Sequence, residues 1–82
     1  MFVMVGHDNY VNSSLIAVIL KPDSSPVKRL KQSAEEKGIL LNASSGHKTR
    51  SVIVLSTGQV VLTSLQPSAV KKRIEDLSRS GA

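Results

Sequence analysis

The chain has 82 residues with Lys+Arg 11 against Asp+Glu 6, a net charge of +5 and an isoelectric point near 10.0. That length holds one domain burying roughly 60–65% of its unfolded surface, and without cysteine no disulfide or thiolate-bound metal can staple it. The positive surplus favours an anionic partner, and with only Phe2 and Tyr10 aromatic a sheet that stacks unpaired bases is poorly supplied, which favours backbone and groove contacts to a duplex.

No apolar stretch reaches the ~18–20 residues of a membrane span. Met1-Phe2-Val3-Met4-Val5 lacks the basic start of a signal peptide and reads as a strand, Phe2–Val5. Gly6-His7-Asp8-Asn9 is turn chemistry. Tyr10-Val11 begins a second extended piece, broken by Asn12-Ser13-Ser14. Leu15–Leu20 is six apolar residues in a row, short for a helix and rich in β-branched types, so it reads as a strand. Pro22 ends it. Ser25 as N-cap and Pro26 at the first helical position predict a helix over Pro26–Lys37, with Gly38 as its stop. Its apolar stripe is Val27, Leu30 and Ala34.

Ile39-Leu40-Leu41 returns to the core, and Asn42 to Arg50 is a small, polar loop. Ser51–Leu55 and Gln59–Leu65 flank Ser56-Thr57-Gly58 as a hairpin. Gln66-Pro67-Ser68 opens a second helix whose stripe is Val70, Ile74 and Leu77, and the tail Ser78–Ala82 is expected to fray. The result is a single α+β domain over residues 1–82, a small and largely antiparallel sheet with two helices. Leu15, Ala17 and Ile19 would face one side of that sheet and Ile16, Val18 and Leu20 the other. If two narrow helices cover one face, a second subunit covers the other, which predicts a homo-oligomer; the alternative is a tightly wrapped monomer.

Catalysis finds no support in the residue pattern. The adjacent pairs Glu35/Glu36 and Glu75/Asp76 point about 100° apart on a helix rather than at one proton. No serine sits in a nucleophile-elbow motif. His7 and His47 belong to no ligand-spaced cluster, so no metal is expected. The glycines are scattered and form no phosphate-binding fingerprint, so no nucleotide cofactor is expected either.

Three basic segments remain. Lys28, Arg29 and Lys31 lie early in the first helix, where cations oppose the helix dipole, and Lys71, Lys72 and Arg73 do the same in the second. Either set also fits an ordinary solvated face. The third is Gly46-His47-Lys48-Thr49-Arg50, preceded by the small residues Asn42-Ala43-Ser44-Ser45. Small residues let a backbone approach a partner, amides and hydroxyls bind phosphate, and arginine can read guanine bidentately. The same composition serves an exposed loop, and both readings stand at this level.

Ser24-Ser25-Pro26-Val27-Lys28-Arg29-Leu30, Gly46-His47-Lys48-Thr49-Arg50-Ser51-Val52-Ile53-Val54 and Leu65-Gln66-Pro67 together resemble the RemA family of extracellular-matrix gene regulators, with a likeness running from about Tyr10 to Arg73. The resemblance implies a cytoplasmic bacterial transcription regulator with a LytTR-like fold, assembled as a ring homo-oligomer on duplex DNA. It implies DNA contacts at His47, Lys48 and Arg50, and the charge of the first helix adds Lys28 and Arg29 as assisting contacts. The family's usual Arg-Arg-Thr-Arg becomes His-Lys-Thr-Arg here, and a further family arginine falls on Leu15. Those two departures keep an alternative in view: an oligomeric interaction protein that no longer binds DNA.

Overall fold

The computed structural model describes residues 1–80 of the chain. A two-stranded ribbon opens it, β1 (Phe2–Met4) pairing antiparallel with β2 (Tyr10–Asn12). In the turn between them the Asn9 amide donates to the Gly6 carbonyl at 3.0 Å. Both central residues, His7 and Asp8, sit at positive φ, 52° and 64°. Tight hairpins favour that handedness, and His and Asp tolerate it better than most side chains. Asn12 then caps a single 3-10 turn, Ser13–Leu15, its Oδ1 accepting from the Ser14 amide at 3.2 Å. Leu15 therefore closes this turn instead of opening the next strand.

After the turn come β3 (Ile16–Leu20), helix α1 (Ser25–Glu36), β4 (Leu40–Asn42), the hairpin of β5 (Ser51–Leu55) and β6 (Val60–Thr63), and helix α2 (Pro67–Ser80). The last four strands form one sheet in the order β3-β5-β6-β4. β3 and β6 both run antiparallel to β5, while β4 runs parallel to β6. The single, largely antiparallel sheet expected from sequence is thus two sheets, the larger one mixed. The unforeseen strand is Leu40–Asn42. Three residues are too few to show an alternation, and only the α1 crossover brings them to a parallel edge.

The sequence puts the cap of α1 on Ser25; the structure moves it to Ser24, whose Oγ accepts from the Val27 amide at 3.4 Å. Pro26 stays within the first turn, where a missing N–H costs nothing. Gly38, at φ 71°, stops the helix as expected. Its amide donates to Glu35 and the Ile39 amide to Ala34, at 3.1 and 2.9 Å, which completes a Schellman closure. Replacing Ser24 with alanine should cost about 0.5–2 kcal/mol in denaturant melts. Ser25→Ala should stay within about 0.5 kcal/mol, and equal losses would refute the Ser24 cap. Helix α2 continues through Ser80, past the expected fraying point at Ser78; residues 81–82 lie outside the described residues.

Two apolar clusters show how the sheet is covered. On one face Ile53, Leu55 and Val61 meet Val3 and Val5 of the ribbon and Val70 of α2, with Ile74 and Leu77 beside them. On the other, Val52, Val60 and Leu62 meet Val27, Leu30 and Ala34 of α1. The chain thus covers both faces itself, and the second subunit invoked above is not needed over the sheet. A bulge in β3 also corrects its face assignment. Ile16 pairs with Leu55 and Val18 with Val54, leaving Ala17 as the extra residue. Ile16 and Ile19 consequently share a face, with Leu20 on the opposite one. Apolar exposure persists at the edges: Val18 and Leu41 on the outer strands, Phe2 and Tyr10 on the ribbon.

Candidate nucleic-acid interface

Strand β4 ends at the same end of the sheet as β6, and β5 starts there, so residues 43–50 must cross the end of β6. Both ends of this loop are tied to that strand. The Ala43 amide donates to the Leu62 carbonyl and the Arg50 amide to the Thr63 carbonyl, each at 2.8 Å. At the entry, Asn42 Oδ1 accepts from the Ser44 amide at 3.0 Å and from the Ser44 hydroxyl, and Ser44 is buried. Ser45 and Gly46 follow at φ 51° and 81°, and the His47 amide closes the turn onto the Ser44 carbonyl at 2.9 Å. The small residues ahead of the basic run are therefore what the turn requires, since positive φ and a buried loop residue exclude large side chains.

The basic residues do not all go the same way. Lys48, Thr49 and Arg50 line an open cleft of about 460 Å³, whose other walls are Lys21, Pro22 and Asp23 from the β3–α1 connection and Gln66, Pro67 and Ser68 where the chain enters α2. Register explains the meeting. Leu20 pairs with Val52 and Thr63 with Ser51, so Lys21 leaves the sheet where Arg50 enters it and β6 exits beside them. The Ser51 hydroxyl donates to the Leu65 carbonyl and holds the exit in place. Three cations and one carboxylate thus surround a cleft at which α2 presents the positive end of its dipole.

His47 lies outside this wall. Its ring stacks on His7 with centroids 4.4 Å apart and planes 10° from parallel, and His7 Nε2 lies 3.0 Å from Ser64 Oγ. The imidazole joins the loop to the ribbon turn, as does Asn9, whose Nδ2 donates to the Ala43 carbonyl at 3.3 Å. Lys28 and Arg29 are exposed on α1 and do not line the cleft. Leu15 packs against the core beside the ribbon and α2. Sequence reasoning missed Lys21, Asp23 and the Gln66–Ser68 wall. A lone lysine before a proline carries no local signal; only the β3–β5 pairing places it.

A second, shallower cleft of about 310 Å³ runs between the ribbon and α2, lined by Phe2, Val3, Met4, Tyr10, Arg73, Asp76 and Leu77. Both aromatic residues border it, so neither stands on the four-stranded sheet. Among the described residues no group of three or more His, Cys, Asp or Glu side chains is placed to hold a metal ion, and no helix is long and apolar enough to cross a membrane.

Residues 2–74 match the family described as RemA-like, extracellular matrix regulatory protein A-like. A protein of Geobacillus sp. (strain WCH70) is 41% identical over 83 residues, and one of Bacillus cytotoxicus 43% identical over the same length. In each case the match covers 98% of this chain and 95% of the relative, and both relatives have names that provisionally assign a regulatory role.

Proposed function

Because the chain belongs to the RemA-like family of extracellular matrix regulatory proteins, we propose that it regulates transcription by binding duplex DNA through the cleft at Lys48 and Arg50. The family and the names of its relatives indicate a regulatory rather than a catalytic protein. The observation that carries the DNA reading is the cleft itself: a rigidly anchored loop delivers two permanent cations to a site with a helix start in its wall. Such a wall attracts a phosphodiester backbone, and arginine adds the option of a bidentate contact to guanine. In this reading the protein works in the cytoplasm on genes of an extracellular matrix.

It acts as a homo-oligomer, ring-shaped as the family resemblance implies. Repeating the cleft around a ring raises effective concentration, so modest contacts at each subunit suffice. The surface available for such contacts is the edge set of Phe2, Tyr10, Val18 and Leu41.

The rival reading, an interaction protein without DNA binding, has an observation of its own. Leu15 is spent on the core and His47 on a stack with His7, so neither is presented to the cleft. Anisotropy of a labelled duplex against a salt series separates the two. DNA binding predicts a log–log slope of about −0.9 for each phosphate neutralised. A folded protein that leaves the anisotropy of every duplex unchanged at low salt would favour the rival.

A further inference from the structure

Lys21 has no part in the basic loop, yet it shares the cleft with it. We propose that Lys21 is a third phosphate-binding residue of this site, facing the same phosphodiester backbone as Lys48 and Arg50, with Asp23 as a built-in counterweight that weakens the anion's hold. The proposal rests on the DNA reading above and names residues that neither the basic loop nor the helices supply.

Three features of the fold carry it. First, the placement is not a matter of a loose surface side chain. Lys21 directly follows Leu20, which is laddered to Val52, and Pro22 restricts the backbone just after it. Its backbone is therefore held beside the start of β5, where Arg50 is held by its own amide bond to Thr63. Second, the side chains concerned are exposed, as a phosphate contact requires. Third, the local charge balance is unlike that of the helices. Lys71 and Lys72 have Glu75 and Asp76 nearby in sequence, at helical spacing. The cleft instead gathers three cations against the single carboxylate of Asp23. An anion there gains from all three and is opposed by one, so each change of charge has a definite sign.

The test measures salt-dependent affinity of the full chain for one duplex, for Lys21→Ala, Asp23→Asn and, as a control of equal charge, Lys72→Ala on the exposed face of α2. Removing one phosphate contact should lower the salt slope by about 0.9 per engaged subunit. The affinity lost between about 50 and about 200 mM salt should then shrink by roughly 3.5-fold per contact removed. Lys21→Ala should show this; Lys72→Ala should leave the slope unchanged; Asp23→Asn should tighten binding at every salt concentration. A Lys21→Ala slope equal to wild type, while loss of Lys48 and Arg50 weakens binding, would overturn the role of Lys21 and spare the DNA reading. Equal loss in Lys21→Ala and Lys72→Ala would also overturn it, because net charge alone would then account for both. A wild-type chain that binds no duplex would remove the reading and the proposal together, a result distinct from the other two.

Discussion

A Lys48→Ala/Arg50→Ala double variant should bind duplex DNA roughly ten- to a hundredfold more weakly than wild type, the range set by losing two phosphate contacts at moderate salt. Its salt slope should fall by about 1.8 for each subunit engaged, twice the loss for one phosphate. The fold should not notice. Both side chains are exposed, and the bond that secures Arg50 runs from its backbone amide to Thr63, which alanine keeps. Thermal melts should therefore agree with wild type within about 0.5 kcal/mol. Matched light scattering would confirm that oligomeric state is unchanged. His47→Ala is the internal contrast, since that ring stacks on His7 and does not line the cleft. It should leave the slope where it was. Wild-type affinity in the double variant, at matched salt and assembly, would remove the site.

The elements with strong local grammar could be read before any coordinates. The Lys37-Gly38 stop, the Ser56-Thr57-Gly58 hairpin and the stripes of Val27, Leu30, Ala34 and Val70, Ile74, Leu77 all lie where residue chemistry put them. Each depends on neighbours within one or two turns of chain. Features that depend on partners far along the chain were not legible. The strand Leu40–Asn42 exists only because β6 lies alongside it. The Ala17 bulge exists only because Leu55 and Val54 fix the register. An alternating count along Leu15–Leu20 could not reveal it, and the count therefore assigned Ile16 to the wrong face.

The candidate site divides along the same line. Lys48 and Arg50 were legible because a basic run after small residues is a local pattern. Lys21 and Gln66 were not, because they reach the cleft through the ladder of β3 on β5 and the exit of β6. His47 is the reverse case. Its sequence position groups it with the basic run, yet one residue of backbone turn, closed by the bond to Ser44, directs the ring onto His7 instead. Charge along the chain therefore groups His47 with Lys48 and Arg50 and leaves Lys21 apart, whereas the fold stacks His47 on His7 and the sheet register brings Lys21 to the cleft.

Thr63 connects the two sheets and the loop, and Thr63→Val should be the most destabilising of the substitutions considered. Its hydroxyl donates to the Val5 carbonyl of the ribbon and accepts from the Leu65 amide at 3.2 Å, while its backbone carbonyl holds Arg50. The residue is fully buried. Valine keeps the shape and removes the hydroxyl, leaving the Val5 carbonyl and the Leu65 amide without their partner. An orphaned buried group costs about 1–3 kcal/mol, so the buried Val5 carbonyl and the part-buried Leu65 amide together should cost roughly 2–6 kcal/mol. A chain of this length has on the order of 4–12 kcal/mol in total, so denaturant midpoints should fall steeply. Thr63→Ser supplies the control. It keeps the hydroxyl and gives up one methyl group, worth about 0.8 kcal/mol. The loss should also be local in origin. Amide exchange in Phe2–Met4 and Tyr10–Asn12 should accelerate in Thr63→Val more than exchange in Ser51–Leu55, because the hydroxyl binds the ribbon to the sheet while the β5–β6 ladder is independent of it. A valine variant as stable as the serine one would show that the hydroxyl does not join the two sheets.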